Sequence, residues 1–329
     1  KLERKSIVIN FTEFDVVEKF DSLNSLKNSN SNISSFLTIQ EGCDKFCKFC
    51  VVPYTRGNEF SRSIKELVLE ANQLVNNGAR EIVLLGQNVN AYHFEGNKLS
   101  DLISEISNIK DLKRIRYTTS HPIDFSKDLM DAHRDCEKLM PLIHLPVQSG
   151  SDKILDTMNR KHTCEEYLSI IKKIKLLKPN MKFSSDFIIG YPGETFDDFQ
   201  KTLKILKDVS FINSYSYIFS ARPGTPAYKL SQTDPKDAKN RLIEFQKVAE
   251  KIKLEYRKSL VFKMSNVLFE NKINGENKYF GRDEYSNPVI VDSNKNLSGE
   301  IKTVKIVKAN QNTLFGEINS NFNKKNYAA

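Results

Sequence analysis

The sequence predicts an α/β fold: an open barrel of βα units that closes only part of a circle, followed by a small all-β barrel. Three observations carry that prediction. Strand-length apolar runs alternate with stretches of helical period six times between Phe36 and Phe219. Polar or glycine-containing turns follow the strands rather than precede them. After Phe262 the pattern changes to short β-type segments separated by Asn, Gly and Asp turns.

The elements follow in order. The Ser/Asn-rich stretch 22–35 has the composition of a linker. A short apolar strand at 36–39 leads into a loop that holds Cys43, Cys47 and Cys50. Ser63 and Glu66 form the capping-box pattern, in which hydroxyl and carboxylate take the amide hydrogens that a first helical turn leaves free. Ile64, Leu67, Val68, Ala71, Leu74 and Val75 then recur at helical spacing up to Gly78. A strand at 81–85 precedes a polar loop from Gly86, and 99–109 has helical spacing. A strand at 114–118 runs into Ser120, His121 and Pro122 and a short helix, and one at 141–147 ends at Gln148, Ser149 and Gly150. A second capping box, Thr163 with Glu166, opens a helix with Tyr167, Leu168, Ile171 and Ile174 on one face. The strand at 182–189 ends in Gly190-Tyr-Pro-Gly-Glu194, ahead of a helix whose Phe196, Phe199, Leu203 and Leu206 are assigned to the core. The sixth strand is 215–219.

Repeated βα units imply one parallel sheet with right-handed crossovers, and ligands gather at the carboxyl ends of its strands. The expected architecture is therefore an open six-unit (β/α) partial TIM barrel, with the cysteine loop, 86–89, Ser120 and His121, Gln148 and Ser149, and 190–194 on one face. A long helix over 235–260 carries Leu242, Phe245, Val248 and Ile252 in one stripe and lysines elsewhere, read as a solvated face. Segments 265–270, 279–282, 288–292, 300–307 and 313–318 make the terminal β-barrel. The expected division is 1–35 as linker and the remnant of a preceding domain, 36–260 as core, 261–320 as barrel, and 321–329 as polar tail.

With 329 residues, 39% of them hydrophobic, and 12 Tyr and 21 Phe, the chain supports a sizeable core and is not wholly disordered. A formal net charge of +9 and a pI near 9.1 suit a polyanionic partner, and equally a charged solvated surface. No apolar run reaches membrane-spanning length and the start lacks the pattern of a signal peptide. A cytoplasmic protein with no membrane partner is expected.

Five cysteines, three of them in one short stretch, form no disulfide framework. Cys43-Asp-Lys-Phe-Cys47-Lys-Phe-Cys50 offers three thiolates in one loop. Such a set can take three irons of a 4Fe-4S cube and leave the fourth open. A structural zinc site would need a fourth ligand, and the next His, His93, is remote in sequence. Cluster ligation, zinc and unliganded thiols are the alternatives, and the spacing favours the cluster. Cys136 and Cys164 read as structural thiols.

The Cys-x3-Cys-x-Phe-Cys spacing on a loop after the first strand resembles the radical S-adenosylmethionine superfamily. The wider strings resemble its methylthiotransferase branch: Glu41 to Gly57, Leu85-Gly-Gln-Asn-Val-Asn-Ala-Tyr92, Thr118 to Pro122, His144 to Gly150, Met158-Asn-Arg-Lys-His162, Ser184 to Glu194, and Ser220-Ala-Arg-Pro-Gly-Thr-Pro226. Among its members the likeness is greatest to those acting on N6-isopentenyladenosine beside the tRNA anticodon, rather than on threonylcarbamoyladenosine. The terminal barrel resembles a TRAM domain.

The resemblance implies that Cys43, Cys47 and Cys50 hold a 4Fe-4S cluster that activates S-adenosylmethionine, with Phe49 near the adenine. It implies Gly86 and Gln87 at the methionyl amine; Gln148, Asp186 and Gly190 around the ribose, carboxylate and adenine; and Arg160 gripping the carboxylate. Partners implied are the tRNA anticodon stem-loop and an electron donor such as a flavodoxin or ferredoxin, with the protein a monomer. Members also carry a preceding domain with three further cysteines and a second cluster. No cysteine precedes Cys43, so a chain acting only as a tRNA-binding remnant is a competing expectation.

His121 and His144 stand at strand ends on the expected active face, as functional groups or as satisfied loop histidines. His93, His133 and His162 read as surface or locally bonded. Tyr279, Phe280 and Arg282 either stack on bases or fill the small barrel.

Overall fold

The computed structural model describes residues 32–318; most of the expected linker and the whole polar tail at 321–329 lie outside them. Six strands build the first part: β1 (Ser34–Thr38), β2 (Glu81–Leu85), β3 (Arg114–Tyr117), β4 (Leu142–His144), β5 (Lys182–Ile189) and β6 (Asn213–Ile218). The helices between and after them are α1 (Ile64–Asn76), α2 (Leu99–Ser107), α3 (Lys127–Asp135), α4 (Cys164–Leu177), α5 (Phe196–Val209) and α6 (Pro235–Lys258). All strand pairs here are parallel and the strands lie in sequence order, so β1 and β6 are the free edges of an open barrel.

The single sheet expected from sequence is in fact two. β1-β2-β3 and β4-β5-β6 form separate three-stranded sheets, joined where Ile115 donates to the Lys138 carbonyl and accepts from the Met140 amide. Two prolines bound the fourth strand. Pro141 and Pro146 flank β4 and have no amide hydrogen to give, so the strand expected at 141–147 shrinks to Leu142–His144. Beyond Pro146 the Val147 amide is taken by the Ser185 hydroxyl at 2.9 Å instead of a ladder carbonyl.

The outward faces of the strands pack on the helices. Leu37, Ile39, Ile82, Leu84 and Ile115 meet Leu67, Ala71 and Val75 of α1 and Leu102, Ile103 and Ile106 of α2 in one continuous core. Each such side chain contributes roughly 1.5–3 kcal/mol on leaving water. Both predicted caps are present: Ser63 accepts from the Glu66 amide at 3.3 Å, and Thr163 and Glu166 complete both halves of their box. Phe199, Leu203 and Leu206 are buried as expected, but Phe196 is 58% exposed. It is the first residue after the Thr195 cap, with its ring 6.3 Å from that of Phe199. Cys136 and Cys164 pack half-buried against the core, and the stripe of Leu242, Phe245, Val248 and Ile252 on α6 joins it.

His133, expected at the surface or in a local bond, is instead buried against a partner 16 residues away. It is 1% exposed in α3, with Nε2 2.7 Å from the Tyr117 hydroxyl and Nδ1 unpartnered. Burial pushes its pKa down to about 3, with nearby Lys178 adding to the shift. The imidazole is thus neutral when folded and protonates only after unfolding. Below the ordinary histidine range the unfolded chain binds the extra proton, so stability falls with pH between about 6.5 and about 3, by up to about 1.4 kcal/mol per unit. Urea midpoints at pH 7 and pH 5 should differ in wild type, and His133→Gln should lessen that difference. Equal pH dependence in both proteins would refute this.

The second part is a closed barrel of β7 (Met264–Lys272), β8 (Lys278–Arg282), β9 (Pro288–Asp292), β10 (Ile301–Ala309) and β11 (Leu314–Ile318), in the order β7-β8-β9-β11-β10. Tyr279 fills its core with Val267, Phe269, Val289, Val291 and Val304, which settles that residue as packing. Gly316 is required there, because a Cβ would sit 2.2 Å from Val304.

The barrel docks on the strand starts of the first part. Arg114 donates to the Arg282, Asp283 and Asn266 carbonyls at 2.8, 3.2 and 2.7 Å. Arg116 donates to the Glu284 and Asp283 carbonyls, both at 2.9 Å, and pairs with Glu81 at 2.8 Å. Among the described residues no helix is long and apolar enough to cross a membrane.

Candidate active site

The cysteine loop leaves β1 and returns through a two-residue pairing of Gln40–Glu41 with Phe60–Ser61. Gly42 makes the exit possible: its φ is +78°, and a Cβ would lie 1.9 Å from the Asn58 carbonyl oxygen. The Cys43 amide bonds to the Gly57 carbonyl at 3.2 Å and the Cys50 amide to the Cys47 carbonyl at 2.9 Å. Cys47 is buried while Cys43 and Cys50 are half-buried, and the Cys47 thiol lies close enough to both to add to their upward pKa shifts, whose first cause is burial. Burial first, then Glu59, Cys47 and Cys50, push Cys43 up to about 11 against a backbone bond near Lys45 that lowers it.

Four further loops close on this one. From the loop after β2, the Gln87 Oε1 accepts from the Gly42 amide at 2.8 Å, and Gly86 is tight against Gln40, whose Oε1 would lie 2.7 Å from a Cβ. The loop after β3 is tied to that loop, since the Asn90 amide group and the His121 backbone bond each other in both directions at 2.8 Å. Residues 158–162 press on the cysteines: the Lys48 amide bonds to the Met158 carbonyl at 2.9 Å, and Asn159 Nδ2 to the Phe46 carbonyl at 2.9 Å. Asn159 and Lys161 both hold positive φ, the strain common at functional loops. Phe49 packs with Met158, Tyr191 and Ala227, which brings the Gly190 turn to the same side.

Arg160, between those two strained residues, is the electrostatic centre. It is 5% exposed, with Nη2 on the Pro146 carbonyl at 2.7 Å, Nη1 3.5 Å from Cys47 Sγ and Nε unpartnered. No carboxylate pairs with it among the described residues. A buried cation without a counter-charge is costly, so the site is built to receive negative charge. His121 and His162 stand ring to ring at 5.8 Å, each with a buried, unpartnered Nε2. Both are kept neutral, chiefly by burial and then by Arg160; His162 is pushed down to about 4. Of the two expectations for His162, surface or locally bonded, the second holds: it is buried, with Nδ1 3.0 Å from the Arg160 carbonyl oxygen.

These features fit an iron–sulfur cube. Three thiolates bring negative charge to a guanidinium that lacks it, and each thiolate can take its own iron. Among the described residues no three His, Cys, Asp or Glu side chains converge on a single ion. The unpartnered Nε of Arg160, Nε2 of both histidines and Oδ1 of Asn88 fit a polar ligand beside the cube.

Gln148 has φ +74° and its backbone bridges Asp186 and Ile188 at 3.0 Å each. Gly190 also has positive φ, and α6 crosses it so closely that a Cβ would lie 2.7 Å from Ala238; its amide is held by Glu194, which Arg241 pairs at 2.8 Å. Asp186 faces the barrel lumen, 3.4 Å from His144 Nε2, on a cavity of about 860 Å³ whose lining includes none of the three cysteines. Sequence reading missed the polar strut under the loop, in which Lys45 pairs with Asp124 at 2.9 Å and Asn88 Nδ2 bonds Asp124 at 2.7 Å. Asp124 lies two residues beyond the Thr118 to Pro122 string, which stops just short of it.

The family description Radical SAM superfamily matches residues 37–206, and TRAM domain matches 258–318. The tRNA-2-methylthio-N(6)-dimethylallyladenosine synthase of Pelagibacter ubique (strain HTCC1062) is 53% identical over 318 residues, 95% of this chain and 71% of that protein. The protein of the same description from Wolbachia pipientis subsp. Culex pipiens is 50% identical over 320 residues, covering 95% and 72%. Among solved structures, the coproporphyrinogen III oxidase of Escherichia coli, a radical SAM enzyme, superposes with a TM-score of 0.52 at 13% identity, covering 81% of this chain and 70% of that one; this likeness shows a common fold.

Proposed function

Because the chain belongs to the radical SAM superfamily and, within it, to the tRNA-2-methylthio-N(6)-dimethylallyladenosine synthase family, we propose that it adds a methylthio group to C2 of N6-isopentenyladenosine beside the tRNA anticodon. The observation that carries this is the Cys43, Cys47 and Cys50 loop with Cys47 against a buried guanidinium that no carboxylate pairs among the described residues.

Cys43, Cys47 and Cys50 would hold a 4Fe-4S cluster, which together with S-adenosylmethionine would supply one-electron radical chemistry, the cofactor also being the source of the methyl group. The chain's own residues position and shield. Arg160 neutralises negative charge at Cys47 and holds the cofactor's carboxylate. Gly86 and Gln87 stand at the methionyl amine, with Gln87 also fixing the loop exit. Phe49 and the Gly190 turn cover the adenine, and Gln148 and Asp186 line the way to the ribose. His121 and His162 are neutral hydrogen-bonding partners, because burial keeps protons off them.

Residues 36–260 form the catalytic unit and 261–320 an RNA-binding barrel. We assign sulfur delivery to a second cluster, held by cysteines other than Cys43, Cys47 and Cys50. We place the protein in the cytoplasm as a monomer served by a flavodoxin or ferredoxin.

The test is anaerobic reconstitution with iron and sulfide, then reductant, S-adenosylmethionine and isopentenylated tRNA, read by mass spectrometry. Formation of 5′-deoxyadenosine together with the methylthio nucleoside is the full result. Deoxyadenosine alone supports the radical core and assigns sulfur delivery elsewhere. Neither product, with the cluster bound, overturns the reading in favour of a tRNA-binding remnant. Arg160→Met should weaken S-adenosylmethionine binding by roughly 10–100-fold, the range for partners that orient a metal site. Equilibrium dialysis on cluster-loaded protein reads this, and unchanged affinity would remove Arg160 from the role.

A further inference from the structure

The cavity of about 860 Å³ lies away from the cysteine loop, in the lumen, and runs into the seam with the C-terminal barrel. Its charges do not balance. Glu81 pairs with Arg116 at 2.8 Å, Glu270 with Arg282 at 2.9 Å, and Asp186 faces His144 at 3.4 Å. Lys253 and Arg257, one turn apart on α6, are left over, and neither meets a carboxylate within 4 Å among the described residues. Arg257 is 4% exposed; one Nη donates to the Gln311 carbonyl, and its Nε has no partner. Asp283, whose charge it feels, already accepts from the Tyr285 and Asn287 amides and from the Asn287 side chain. Two cations held side by side, one of them buried, are costly until an anion joins them.

Aromatic rings rim the same cavity. Phe36 on the free edge β1 is 67% exposed, and Tyr215 and Tyr217 on the free edge β6 are 50% and 62% exposed. Rings facing an opening with cations behind them suit a single nucleic-acid strand: a base stacks on the ring and a phosphate meets the cation.

We propose that this seam is an RNA-contact site, in which Lys253 and Arg257 hold a phosphodiester of an unpaired nucleotide and Tyr215 and Tyr217 stack on its base. The proposal rests on the reading of RNA as the substrate. It gives the C-terminal barrel a specific part, because its docking closes the floor of the site and sets Arg282 beside it.

The probe is a short fluorescein-labelled RNA hairpin with an isopentenyladenosine in its loop, followed by anisotropy across a salt series with the full chain. Lys253→Gln should bind about five- to tenfold more weakly and lower the salt slope by about one, as loss of one phosphate contact does. Tyr217→Ala should weaken binding by about tenfold and leave the slope alone. Both residues are partly or largely exposed, so folding does not confound the result, as it could for Arg257→Gln. Wild-type affinity and slope in both variants would overturn the proposal, and would do so without touching the proposed function if wild type still forms the methylthio nucleoside. A wild-type chain that does not bind the hairpin would overturn both.

Discussion

Cys47→Ala is expected to lose the cluster and with it all cleavage of S-adenosylmethionine. Cys47 is the buried member of the trio and the one facing Arg160. Its loss leaves two thiols for a cube that takes three, and a buried guanidinium with less counter-charge than before. The fall in 5′-deoxyadenosine formation should exceed the roughly 100-fold upper limit seen when only an orienting partner of a metal site is removed. Iron and labile sulfide per chain, with the visible absorption of the cluster, provide the direct readout. The fold should survive, because a buried Cys behaves as a small apolar group and the loop is held by backbone bonds at Cys43, Lys48 and Cys50. A variant with a normal iron content would sink the assignment of Cys47.

Arg114→Met is expected to loosen the C-terminal barrel. Arg114 is 1% exposed and directs its guanidinium to three carbonyls of that barrel, and burial first, then Arg116, lower its pKa. Methionine keeps much of the stem volume but returns none of the bonds. Each bond from a charged donor contributes about 1.5–3 kcal/mol, and the desolvation relieved by removing the charge offsets part of their sum, so a loss of about 3 kcal/mol is expected. Guanidinium unfolding followed by circular dichroism should give an earlier transition for the barrel, separated from that of the core. A single transition at the wild-type midpoint would show that Arg114 is not what holds the two parts together.

The sequence made the cysteine loop and most helices readable, for local reasons. Thiol spacing lies within one loop, and the capping signals at Ser63 and Thr163 lie within one turn of the helix they start. Pro141 and Pro146 were also visible, yet an apolar run read as a full strand hid their effect on β4. What stayed hidden depends on partners distant in the chain. Nothing around His133 indicates Tyr117, and nothing in the strand Arg114–Tyr117 indicates that two of its arginines serve carbonyls in the last third of the chain. The left-handed backbone at Gln148, Asn159 and Lys161 carries no sequence mark, since none is glycine. Asp186 belonged to a recognised string, but only the pleat of β5 turns it to the lumen beside His144.

The division between β3 and β4 also has a mechanical consequence. A continuous ladder would fix the bore of the barrel, because widening it would break hydrogen bonds along a whole strand. Here the two half-shells meet through the paired bonds of Ile115 to Lys138 and Met140, and that line acts as a spine while β1 and β6 are the free covers. The cysteine loop braces the two half-shells across that spine, tied to the first by Gln87 and to the second by Met158 and Asn159.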